Sequence, residues 1–85
     1  MGFEMKVSLP RDPRYVATAR LIAVESVKEA GCAGAPADAF VGQVEDVART
    51  CLSASPADHH VTMAVAREAD ALVVTIGQHV MRLTL

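Results

Sequence analysis

The hydrophobic period changes partway along this chain, and that change limits the folds open to it. Between Asp12 and Ser53 the apolar residues recur at three- and four-residue steps; from Val61 onward they recur at every second residue. A chain that starts in strand, carries two helices and finishes in strands has few ways to bury its apolar faces. The order reads β-α-α-β-β, with a further β at the tail. This predicts an α+β two-layer sandwich, its two helices packed on one face of a mostly antiparallel sheet.

The opening strand is Met5 to Pro10, with Val7 and Leu9 on one side and Lys6 and Ser8 on the other. Asp12 is a natural N-cap, because its carboxylate accepts from backbone amides that a helix start leaves unpaired. Pro13 suits the first helical position, where a missing N–H costs nothing. No Gly or Pro interrupts the chain from there to Ala30, and Gly31 stands where a C-cap belongs. Val16, Ala19, Ala23, Val27 and Ala30 make one helix face. Leu21, Ile22 and Val24 widen the stripe, so this helix is expected to pack on more than one side.

After the loop Gly31–Pro36, a second helix is expected from near Pro36 to about Ser53, its stripe running Phe40, Val44, Val47, Cys51, with Val41, Ala48 and Leu52 flanking it. Ser53 to Asp58 is read as the closing loop. Val61, Met63 and Val65 then share one strand face, Arg67 to Ala71 forms a charged turn, and Leu72, Val74 and Ile76 continue a hairpin that Gly77 ends. Met81, Leu83 and Leu85 read as a last strand, one that either covers the core or offers an edge for strand addition.

Composition removes several classes of function. Eighty-five residues make a single domain, residues 1–85, and 52% hydrophobic content rules out a disordered acidic tail. A net charge of −2 leaves no electrostatic footprint for nucleic acid. One Tyr, two Phe and no Trp supply few platforms for stacking bases or sugars. The longest apolar run, Ala71 to Ile76, is too short to span a membrane, and Met-Gly-Phe-Glu-Met-Lys does not read as a signal peptide. Cys32 and Cys51 do not make a disulfide framework. A cytoplasmic protein with no membrane partner is the expectation.

Leu-Pro-Arg-Asp-Pro-Arg-Tyr-Val-Ala-Thr-Ala-Arg, residues 9–20, resembles the opening of the anti-sigma-factor serine kinases, regulators in the GHKL superfamily of histidine kinase-like ATPases. The element order resembles theirs over nearly the whole chain. The resemblance implies a helix-borne Glu-x-x-x-Asn box within Val41 to Ala54 and an Asp-x-Gly box after the hairpin. Glu45 matches the Glu, but Arg49 stands at the Asn position, and a guanidinium has no lone pair for Mg²⁺. Gln78 or His79 stands where the adenine-binding Asp belongs, and the chain reaches Leu85 without a Gly-rich lid. Phosphoryl transfer rests on positioning and metal-borne charge, so losing these parts removes it. The implied protein is therefore a degenerate GHKL-like domain with no catalytic residues, no metal and no cofactor. It would bind a sigma factor or an anti-anti-sigma protein stoichiometrically, and form a homodimer. Two alternatives stand beside it: a serine kinase or ATPase holding ATP and Mg²⁺ in a non-standard site, and a homodimeric structural protein.

The family places dimer and sigma-factor contacts on the first strand and first helix, which nominates Arg14, Tyr15 and Arg20 as partner-binding residues. Glu45 and Arg49, spaced i, i+4, are expected to pair on a helix surface, with the alternative that Arg49 fills the vestigial nucleotide pocket. His59, His60, His79 and Cys51 lack zinc spacing. Cys51 reads as a small buried hydrophobe and Cys32 as a loop thiol without a basic neighbour. Ser26, Ser53 and Ser55 lack the context of a hydrolase nucleophile.

Overall fold

The structure, a computed structural model, describes residues 4–53 and 60–85. Strands β1 (Glu4–Pro10), β2 (His60–Arg67), β3 (Ala71–Ile76) and β4 (His79–Thr84) form one antiparallel sheet in the order β1-β2-β3-β4. Helices α1 (Val16–Glu29) and α2 (Ala35–Leu52) lie together on one face of it. The α+β sandwich is as expected, and the tail is its fourth strand.

Alternation fixes the register. Val7 and Leu9 of β1 stand opposite Met63 and Val61 of β2, and Met63 and Val65 stand opposite Ile76 and Val74 of β3. Leu72 and Val74 face Leu83 and Met81 of β4. Each of these side chains points toward the helices, and a slip of one residue would turn the whole set to solvent. Between Ile76 and His79 the chain turns in two residues, with Gly77 at φ 60°, a left-handed conformation that suits Gly.

Asp12 caps as expected, with one difference: the first turn, Pro13–Tyr15, is 3₁₀ and the α-helix begins at Val16. The Arg14 amide donates to Asp12 Oδ1 at 3.0 Å, and the Arg14 guanidinium closes on Oδ2 at 2.9 and 3.1 Å. These bonds, the backbone one first, hold the Asp12 carboxyl below its ordinary value of 3.8. Because the folded-state value is depressed, the cap's contribution is complete above that ordinary value and disappears as pH falls through the folded one. Thermal melts between about pH 2 and 5 should show a shallower acid limb for Asp12→Asn, which keeps an acceptor without a titrating group. Identical limbs in the two proteins would remove Asp12 from the acid transition.

Helix α1 ends in a Schellman motif. Gly31, at φ 75°, donates to the Lys28 carbonyl at 3.0 Å, and Cys32 donates to the Val27 carbonyl at 2.9 Å. Helix α2 begins after Gly34 with Pro36 in its first turn.

Two expectations about the helix faces are corrected. Leu21 does not widen a packed stripe on α1; it is 58% exposed, while Val16, Ala19, Ala23 and Val27 are buried. The buried stripe of α2 is Ala37, Phe40, Val41, Val44, Ala48 and Leu52, with Val47 and Cys51 only half-buried at its margin. The stripe is therefore rotated by about one residue from the Val47–Cys51 line, because α2 must face both the sheet and α1. Ala19, Ala23 and Ala48 have no exposed surface, and such small side chains let two helices approach closely. Buried Ser26 satisfies its hydroxyl by donating to the Ile22 carbonyl at 2.7 Å.

Candidate functional site

Among the described residues, three surface hollows gather chemistry-bearing side chains. The first, about 330 Å³, is an apolar groove between α1 and strand β1, with Met5, Leu21 and Ile22 as its floor and walls. Ser26, Glu25 and Glu29 supply its polar margin. Met5 is 38% exposed, and together with Leu21 it places two large apolar side chains in water on one stretch of surface. The groove arises from simple geometry. Met5 points to the helix side of the sheet, but β1 is an edge strand and α1 does not fully cover it.

The second hollow, about 530 Å³, lies along the seam of α1 and α2, where Arg20, Lys28, Asp38 and Glu45 gather round Val24 and Cys32. Glu45 is held between two guanidiniums, 3.4 Å from Arg20 on α1 and 3.6 Å from Arg49 on its own helix. Arg49 also reaches Asp46 at 3.3 Å. The i, i+4 pairing is thus present and extends to α1. All four side chains keep substantial exposure, so the network contributes on the order of 1 kcal/mol or less.

The third hollow, about 330 Å³, sits where the last turn of α2 meets the β3–β4 turn. Arg11, Thr50, Cys51, Val61, Gly77, Gln78 and His79 line it. Burial pushes the Cys51 thiol up, against a smaller opposing pull from the Arg11 charge. Arg11 Nε is buried, with no hydrogen-bond partner among the described residues.

The positions at which the resemblance expects the two boxes therefore open on different hollows. Glu45 and Cys51 are six residues apart on α2, a rotation of about 240° at roughly 100° per residue, so they address different surroundings. Glu45 and Arg49 face the α1 side, whereas Gln78 and His79 approach the helix near Cys51. The nominated partner residues divide as well. Arg14 sits over the Tyr15 ring at 5.9 Å and is bound to Asp12, while Arg20 turns toward α2. Tyr15 packs partly into the core. Residue spacing missed the α1–β1 groove, although Leu21 carried a signal for it: two residues from both Ala19 and Ala23, it must point nearly opposite to them.

Among the described residues no three His, Cys, Asp or Glu side chains gather as a metal site. His60 and His79 are exposed; His59 and Ser55 fall outside the described residues, as does most of the expected Ser53–Asp58 loop. Neither α1 nor α2 is long and apolar enough to cross a membrane. No protein-family model, curated protein or solved structure matches the chain.

Proposed function

We propose that this chain is an anti-sigma-factor-like regulator of bacterial transcription, acting in the cytoplasm by stoichiometric protein binding without phosphoryl transfer. The observation that carries the reading is the apolar groove between α1 and β1, the two elements that the resemblance nominates for partner contact. Met5 and Leu21 supply apolar area for an anchor, and Glu25 and Glu29 at the rim favour a partner with basic residues flanking an apolar face. A sigma-factor or anti-anti-sigma segment of that character is the proposed occupant. Arg49 argues against a nucleotide, since it stands where the resemblance expects a Mg²⁺ ligand and its guanidinium is already engaged with Glu45.

A second reading, an ATP-binding protein with a non-standard site, rests on one observation. Arg11 lines the same hollow as Gln78 and His79, where its guanidinium would meet a phosphate. Calorimetry separates the two. Titration with ADP and Mg²⁺ should give no heat at concentrations that detect a Kd near about 1 mM, while a purified sigma factor or anti-anti-sigma protein of the same organism should bind at micromolar Kd or tighter. Micromolar ADP binding would overturn the regulator reading in favour of the second.

A further inference from the structure

We infer that the free edge of β1 takes up an extended segment of a partner protein as a fifth strand, whose inward side chains fill the α1–β1 groove. The inference deepens the proposed function and rests on its reading of that groove as the partner site.

Backbone bonds fix which groups the edge offers. The Gly77 amide donates to the Thr62 carbonyl at 3.0 Å, so the backbone polar groups of Thr62, Ala64 and Ala66 in β2 face β3. Those of Val61, Met63 and Val65 then face β1 and meet Leu9, Val7 and Met5. The amides and carbonyls of Glu4, Lys6 and Ser8 therefore point outward from the sheet edge. Pro10 agrees, because it stands in the outward set, where its missing N–H costs no ladder bond. Its carbonyl accepts from the Asp12 amide at 2.8 Å. The register is continuous along β1, with no bulge to turn the edge away.

The surroundings of this edge select its occupant. A strand added antiparallel to β1 bonds opposite Glu4, Lys6 and Ser8, and its residues opposite Met5 and Val7 turn toward the helices. There Met5, Leu21 and Ile22 line the groove, with Met5 and Leu21 exposed. Two apolar side chains at i and i+2 cover them. The groove joins the start of β1 to the second half of α1, so Glu25 and Glu29 stand at its Met5 end. No basic residue lines it. Glu25 is 3.7 Å from Lys28, and Glu29 has no ion pair among the described residues. An antiparallel strand reaches that end with its C-terminal side, so the segment that fits reads apolar-x-apolar-x-basic. Glu4, Lys6 and Ser8 turn their side chains to the opposite face of the sheet, so the intervening positions are polar. At the other edge, Met81 and Leu83 of β4 are already buried on the α2 side, so the tail covers the core and its inward side chains need no added strand.

The probe is the end-capped peptide Thr-Ile-Thr-Val-Thr-Arg, titrated into the full chain and followed by NMR. It should bind with a Kd of about 1 mM or tighter. At about 5 mM peptide, hydrogen exchange at the Glu4, Lys6 and Ser8 amides should slow about fivefold or more. N-methylation of the central Thr, which faces Lys6, should weaken binding about tenfold or more, whereas N-methylation of the peptide's Val, whose N–H points away from β1, should change it less than about twofold. Glu in place of the peptide's Arg should cost about threefold or more. No binding at 5 mM, unchanged exchange at those amides, equal losses from the two N-methyl peptides, or a Glu peptide that binds as well would each overturn the inference. The sigma-factor or anti-anti-sigma titration reads out separately. A partner that binds without protecting Lys6 and Ser8 keeps the regulator and removes the strand. A peptide that adds to β1 when no such partner binds keeps the strand and removes the regulator.

Discussion

Phe40→Ala should remove about 3–5 kcal/mol of the domain's stability. Phe40 is 3% exposed and is the one aromatic among the buried side chains described, in a core otherwise made of Ala, Val, Leu, Ile and Met. It stands on α2, the helix that covers β3 and β4 and also carries α1 on its flank. Truncating a buried Phe costs about 3–5 kcal/mol, the lost transfer free energy plus the cavity left behind. An 85-residue domain has only about 4–13 kcal/mol in total at the usual per-residue stability. Around the cavity there is little to refill it, since Ala37, Val41 and Val44 are short and their backbone is fixed in the same helix. Leu21→Ala on α1 provides the contrast, with an expected change below about 0.5 kcal/mol at an exposed position. Urea denaturation of both variants measures the difference. A Phe40→Ala protein within about 1 kcal/mol of the parent would mean that the helix layer does not depend on this side chain.

The contrast between Phe40 and Leu21 also marks where sequence reasoning reached and where it stopped. Elements with their own local chemistry were legible: the Asp12–Pro13 start, the Gly31 end, and the strict alternation of Val61-Met63-Val65 and Leu72-Val74-Ile76. Each is set by capping, backbone freedom or a period that only one structure satisfies. The buried side of each helix was less legible, because an apolar stripe about 100° wide tolerates a shift of one residue in its centre. Which line of α2 is buried depends on α1 and the sheet together, and that information is not local. Leu21 is the instructive case: counted as one more hydrophobe it joins the core, whereas its 200° rotation from Ala19 places it outside.

The candidate site follows the same division. The Glu45–Arg49 pairing was readable as an i, i+4 step within one helix, but Arg20 joins it only because α1 and α2 cross there. The α1–β1 groove exists because β1 lies at the sheet edge beside β2, a placement set by long-range pairing. An interface nominated from Arg14, Tyr15 and Arg20 therefore weighed charge and aromaticity, while the exposed apolar Leu21 lies across the helix from Ala19 and Ala23. That difference can be tested directly.

Leu21→Lys should reduce affinity for a sigma factor or anti-anti-sigma partner by about 100-fold or more while leaving the fold intact. In the free protein the new ammonium sits on an exposed helical position, and Lys is a good helix former. Glu25, four residues on, can pair with it, so stability should change by no more than a few tenths of a kcal/mol. In the complex the same group enters an apolar groove and must shed its water there. It also meets a partner face whose flanking charges complement Glu25 and Glu29, turning attraction into repulsion. A hundredfold loss is about 2.7 kcal/mol, within the range of an interface hot spot. The companion variant, Arg14→Glu with Arg20→Glu, alters the residues nominated from sequence and leaves the groove untouched, so a partner seated in the groove should bind it with nearly parent affinity. The opposite pattern, binding indifferent to Leu21→Lys and lost in the double Arg variant, would move the partner to the Arg14–Arg20 surface and leave the groove without a protein ligand.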